Sequence, residues 1–193
     1  MVIAACNLTT TPEATPSADS TMTYQNERFN FALDYPAGWF VQDLQTITMF
    51  TSFEIGSLPG SEGVPSDQTK IDLILPGIVS ADTFAGFINL SLADQTCISG
   101  EPVVFNLDNG GVAVEIAAVS NMSGAHKVVY VDLAGSQMMF VTFGDLSPVS
   151  DIVRSLRLID ASGAAGYQYD FDVSALVLPE KQCGQNQSNG QSA

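Results

Sequence analysis

PVVFNLDNGGVAVEIAAVSNMSGAHKVVYVDLAGSQMMFVTF, residues 102–143, holds four stretches of β-branched and aromatic residues parted by short polar runs. Such residues suit a pleated, half-buried surface. Asp108-Asn109-Gly110-Gly111 between the first two stretches is a strong hairpin signal, because Asn and Gly accept the positive φ that tight hairpin turns require. Asn121-Met122-Ser123-Gly124 and Ala134-Gly135-Ser136 mark two further turns. Strands joined by connections this short pair with their chain neighbours. The stretch therefore predicts a four-stranded antiparallel meander.

Outward from the meander, more strands and two helices emerge. In RFNFALDYP, Phe29, Phe31, Leu33 and Tyr35 alternate with Asn30, Ala32 and Asp34, the period of a half-buried strand. Pro36-Ala37-Gly38 turns the chain, Trp39-Phe40-Val41 opens a second extended stretch, and ITMFTSFEI (47–55) a third. Residues 56–69 are rich in Gly, Pro and Ser and form a loop. IDLILPG (71–77) then places Ile71, Leu73 and Leu75 on one face. Ser80 as N-cap, Asp82 in the first turn and Phe84, Phe87 and Ile88 at helical spacing predict a helix reaching Leu92. A second helix is predicted in SPVSDIVRSLRLI, with Ser147 as N-cap, Pro148 at the first helical position and Val149, Ile152, Val153 and Leu156 as its apolar stripe. YQYDFDVSALVLPE, beyond a Gly/Ala-rich hinge, reads as a further extended segment. The fold class is α+β: one antiparallel sheet of about six or seven strands with helices packed on it.

FNFALDYPAGW (29–39) and IVRSLRLI (152–159), with the DNGG hairpin between them, resemble the superfamily of PsbP, the extrinsic protein of photosystem II. The Ran-binding nuclear-import factor shares its α/β/α sandwich. The resemblance implies that sandwich over residues 24–160 and an accessory role, stabilising or assembling a larger complex. It does not carry over the photosystem itself, since nothing in the sequence shows a photosynthetic context. Trp39 in this setting is expected to fill the space between sheet and helix.

Composition narrows the function. The chain has 193 residues, 46% of them hydrophobic and 14% charged, with six basic and 21 acidic side chains and a formal charge of −15. That surface repels phosphates and anionic headgroups, which argues against nucleic-acid binding. No apolar run approaches the ~20 residues that span a bilayer. At the N-terminus, Val2-Ile3-Ala4-Ala5-Cys6 resembles the lipobox of bacterial lipoproteins, in which small residues precede the modified cysteine. The resemblance implies a remnant of a lipoprotein signal peptide at residues 1–6 and diacylglyceryl attachment at Cys6. Residues 7–23 are rich in Thr, Pro and Ser and read as a flexible linker, on the order of 20 Å of reach. The other reading is a cysteine in a frayed cytosolic tail. Residues 161–183 form a C-terminal extension, and 184–193 a polar, disordered tail.

Candidates for chemistry are few. His126 is the one histidine and stands beside Lys127, with no Cys, Asp or Glu at ligand spacing, so it reads as a strand-end residue and not as a general base. Asp170 and Asp172, with Glu180 nearby, could face a cation from one side of a strand, but alternation with Tyr169, Phe171 and Val173 places them on its outer face. No metal site, cofactor or catalytic residue is therefore expected. With Cys6 assigned to lipid, Cys97 and Cys183 are the candidate disulfide partners in an oxidising compartment, or two thiols in a reducing one. The sequence predicts a membrane-tethered extracytoplasmic lipoprotein whose non-catalytic domain supports an envelope protein complex. Its partners would be the membrane, through the lipid, and a protein of the cell envelope. The alternatives are a hydrolase-like enzyme with dispersed catalytic residues and a soluble cytosolic binding module.

Overall fold

The meander carries the fold because three of its four strands, over residues 111–144, are buried enough to sit between two covering layers. A computed structural model describes residues 20–54, 63–107, 110–121, 124–160, 171–180 and 183. Strands β1 (Thr21–Asn26), β2 (Phe31–Pro36), β3 (Phe40–Asp43), β4 (Ile47–Thr51) and β5 (Thr69–Ile74) precede helix α1 (Phe84–Leu92). Then follow β6 (Cys97–Leu107), β7 (Gly111–Ser120), β8 (Gly124–Leu133), β9 (Ser136–Gly144), helix α2 (Val149–Arg154) and the two-residue β10 (Arg157–Leu158). Seven strands form one antiparallel sheet in the order β3-β4-β5-β9-β8-β7-β6, and β1-β2-β10 form a second, smaller one.

The predicted meander is β6 to β9, paired in chain order. Leu133 and Ser136 close the β8–β9 hairpin around Ala134 and Gly135, both at positive φ, 52° and 86°. This is the two-residue turn whose twist matches that of the strands. Asp108, Asn109, Met122 and Ser123 lie outside the described residues. β6 begins at Cys97, earlier than the Val/Phe run suggests. A register shift between Ser99 and Val103 lets the strand pass Pro102, which has no N–H for the ladder.

Each face of the large sheet has its own core. On one side Phe31 and Leu33 of β2, Phe50, Ile71, Leu73, Val129, Val131 and Phe140 pack with Val149, Ile152 and Val153 of α2. On the other, Phe84, Phe87, Ile88 and Leu92 of α1 meet Val112, Val114, Ile116, Val128 and Tyr130. The molecule is thus α+β in three layers, with the small sheet and α2 on one face and α1 on the other.

Local detail departs from expectation at several points. FNFALDYP pairs with β1 and not with the large sheet, and β1 takes in Thr21 to Thr23 of the expected linker. The reason lies in Tyr24, whose ring packs edge-on against Phe50 at 5.4 Å. The N-cap of α1 is Thr83, whose Oγ1 accepts the Gly86 N–H at 3.0 Å, and not Ser80. Pro148 occupies the N-cap of α2, because the Ser147 N–H turns back to Asp145 Oδ1 at 3.0 Å. The extended segment expected in 167–180 contains no strand among the described residues, only a 310 turn at Val173–Ala175.

Candidate functional site

A cleft of about 440 Å3 opens where the chain between β5 and α1 crosses the β8–β9 turn. Its shape follows from two backbone reversals at the same end of the sheet. Pro76 and Gly77, the latter at φ +85°, lift the chain off β5. Positive φ at Ala134 and Gly135 folds β8 back into β9. The crossing is tied to the sheet where the Ala81 N–H donates to Gln137 Oε1 at 3.3 Å. Ser80 and Asp82 line the cleft from the crossing, while Asp132, Ser136 and Gln137 line it from the hairpin. Phe84, the first residue of α1, and Val79 also belong to its lining.

The two carboxylates sit differently. Asp132 ends β8, is 4% exposed, and accepts the Gly135 N–H on Oδ1 at 2.7 Å. Asp82 is solvent-exposed on the crossing. Among the described residues no Lys, Arg or His lines the cleft. Two acidic side chains thus belong to its lining, one exposed and one buried.

Other sequence candidates lie elsewhere. His126 is 3% exposed, within β8, with Nδ1 2.9 Å from the Gly124 carbonyl oxygen and its ring 6.0 Å from Phe143. It is a buried strand residue, and that contact involves neither a serine nor a carboxylate. Trp39 is half-buried against the α2-side core. Asp172 caps the 310 turn, its Oδ1 accepting the Ser174 N–H at 2.9 Å, which lowers its pKa. Asp170 lies outside the described residues, and Glu180 is exposed. Among the described residues no group of three or more His, Cys, Asp or Glu could hold a metal ion.

Cys97 and Cys183 form a disulfide with a Cα–Cα distance of 5.2 Å. The Cys183 N–H also donates to the Ile98 carbonyl at 2.6 Å, seating the C-terminal strap on the outer edge of β6. Upstream of it, Leu176 is buried in the α1-side core and Phe171 packs edge-on against Phe84 at 5.2 Å. Cys6 lies outside the described residues.

Sequence reasoning missed the cleft. Asp82 reads as a first-turn residue and Asp132 as one more alternating position. The signal that could have found them is the pair of turns, Pro76-Gly77 and Ala134-Gly135, which the antiparallel topology brings to one end of the sheet.

No family model matches the chain, and no curated protein matches it. Among solved structures it is similar to cyanobacterial PsbP (CyanoP) from Synechocystis sp. PCC 6803, at 12% identity over 77% of this chain and 98% of that one, with a TM-score of 0.41. It is also similar to PA94 from Pseudomonas aeruginosa, a protein of unknown function, at 14% identity over 68% of this chain and 87% of that one, with a TM-score of 0.38. Both are similarities of fold alone.

Proposed function

We propose that this protein is an extracytoplasmic lipoprotein, acylated at Cys6, whose folded body is a non-catalytic binding domain supporting a protein complex of the cell envelope. The observation that carries the reading is the Cys97–Cys183 disulfide. Structural disulfides persist in oxidising compartments and are rare in the reducing cytosol. The bridge takes up two of the three cysteines and leaves Cys6, behind Val2-Ile3-Ala4-Ala5, for another fate. Among the described residues no helix is long and apolar enough to cross a membrane. Attachment would come from the acyl chains, each buried CH2 contributing about 0.8 kcal/mol, so that two or more chains hold stably where one is marginal.

Metabolic labelling with radioactive palmitate in the native cell tests the anchor. Wild-type protein should incorporate label and partition with membranes, and Cys6→Ala should lose both. Label that survives Cys6→Ala, or wild-type protein that never acquires it, would sink the lipoprotein reading. A fluorophosphonate probe tests the non-catalytic part: stoichiometric labelling of one serine would restore the hydrolase reading.

A further inference from the structure

We propose that the apolar face beside α1 is a docking site for an extended segment of a partner protein, and that residues 171–178 of this chain occupy it as an internal ligand. The inference rests on reading the body as a binding domain. The seated segment shows what the site accepts. Phe171, Val173, Leu176 and Leu178 pack against the α1-side core, with Leu176 buried, while Asp172, Ser174, Ala175 and Val177 are exposed. Phe171 meets Phe84 of α1 edge-on at 5.2 Å.

Backbone recognition separates this seat from ordinary core packing. Asn89 of α1 donates from Nδ2 to the Ala175 carbonyl at 3.2 Å and accepts the Val177 N–H on Oδ1 at 2.8 Å. One side-chain amide thus satisfies two main-chain groups two residues apart, as an adjoining strand would. That contact is blind to side chains. It serves any extended segment whose apolar residues follow the spacing of Phe171, Val173, Leu176 and Leu178. Among the described residues no strand pairs with residues 171–178. Their own main-chain bonds stay within the 310 turn, where Ala175 and Leu176 donate to Asp172 and Val173. Beneath the segment, Phe87, Ile88 and Leu92 of α1 share one core with Val112, Val114 and Tyr130, so the sheet and helix remain joined when the segment lifts. The Cys97–Cys183 bridge keeps the far end close to its seat. An internal ligand held in this way acts at a high effective concentration, and a partner segment enters only in competition with it.

The test uses the isotope-labelled full chain carrying Cys6→Ser and, as probe, the synthetic peptide FDVSALVLPE (residues 171–180) with a fluorophore at its N-terminus. Hydrogen exchange comes first. The Val177 amide should exchange at least about tenfold faster than the core amides of β7 and β8, because the segment lifts while the sheet stays folded. In a chain that also carries Leu176→Asp, which weakens the internal ligand, the peptide should bind with half-saturation near about 0.1 mM and shift amides within residues 84–92. The chain with Leu176 intact should bind it at least about tenfold more weakly. Adding Asn89→Ala to the opened chain should raise half-saturation about tenfold. A peptide carrying Ser174→Ala and Val177→Ala should bind as the parent does, and one carrying Leu176→Asp should not bind. Exchange of Val177 only together with the sheet core, or a Leu176→Asp chain that fails to fold, would show the segment to be integral to the body and overturn the proposal. Equal binding to the opened and intact chains, no binding to the opened one, or no effect of Asn89→Ala would overturn it too. These readouts do not involve acylation, so their failure leaves the palmitate result standing, and failure of the palmitate experiment leaves the docking site untouched.

Discussion

Asp34 and Arg157 show how single side chains close this chain on itself. Arg157 Nη1 and Nη2 each lie 3.0 Å from one oxygen of the Asp34 carboxylate, and Thr23 Oγ1 donates to Oδ1 at 2.6 Å. The three residues belong to β10, β2 and β1, so one carboxylate ties together all strands of the small sheet. Arg157 first, then Thr23, hold the Asp34 pKa below its ordinary value. A carboxyl whose folded-state pKa is depressed contributes stability at pH values above its unfolded pKa, and loses it as pH falls through the folded value. The pair is about one-third exposed, so its contribution is about 0.5–1 kcal/mol. Asp34→Asn should therefore lower the thermal midpoint at pH 7 and cease to differ from wild type once pH drops well below 4. A constant difference across that range, in paired melts, would refute the assignment. Gly144 is a second position governed by a single atom. Its φ is +78°, and a Cβ there would overlap the Gln68 carbonyl oxygen and stand 2.7 Å from that of Pro65. Gly144→Ala should cost about 3 kcal/mol or more in urea unfolding, from positive φ and overlap together.

Among the elements, the C-terminal strap, described at residues 171–180 and 183, has little regular structure and a well-defined set of fastenings. Asn89 of α1 grips it twice, Nδ2 donating to the Ala175 carbonyl at 3.2 Å and Oδ1 accepting the Val177 N–H at 2.8 Å. Leu176 buries its side chain beside α1, and the disulfide fixes the far end to β6. The bridge spans 86 residues of sequence, so the chain-entropy argument allows it about 4–5 kcal/mol as an upper limit. Cys97→Ser/Cys183→Ser should lower stability by a few kcal/mol in chemical denaturation and open the C-terminal segment to limited proteolysis before the sheet unfolds. Retention of full protease resistance would show that Asn89 and the apolar contacts suffice. The strap also marks where sequence reading stops. The meander was legible because alternation and turn residues act over a few positions and agree with each other. The stripe of α1 was legible for the same reason, as Phe84, Phe87, Ile88 and Leu92 are all buried. FDVSALVL (171–178) has strand-like alternation too, but it packs on the α1-side core and not along a strand edge, so tertiary packing overrides the local pattern. The cleft was illegible because its walls come from two turns some 55 residues apart, and only the strand order brings them together.

At the scale of the whole molecule, the five cationic residues among those described are used for internal closure. Lys70 pairs with Asp72, Lys127 with Glu115 at 2.7 Å, and Arg157 with Asp34. Arg28 lies over Phe29, and Arg154 over the Phe105 ring at 4.2 Å, while Lys181 is outside the described residues. Glu115 illustrates the arrangement: burial alone would raise its pKa, but hydrogen bonds from Lys127 and Ser150 outweigh it and lower it. With those cations so committed and 21 acidic side chains against six basic ones, the net charge of −15 makes the folded body repel itself. Salt then acts in the unusual direction. The Debye length shrinks from about 30 Å at 0.01 M to about 8 Å at 0.15 M ionic strength, which screens repulsion between spaced surface carboxylates before it weakens the shorter, partly buried pairs. At pH 7 the thermal midpoint should rise by several degrees over that range of sodium chloride, and the rise should fade as pH approaches the pI near 4.1, where the net charge vanishes. A midpoint that falls with salt would mean that the three ion pairs outweigh the surface field, and that the excess of acid is balanced locally in a way the fold does not display.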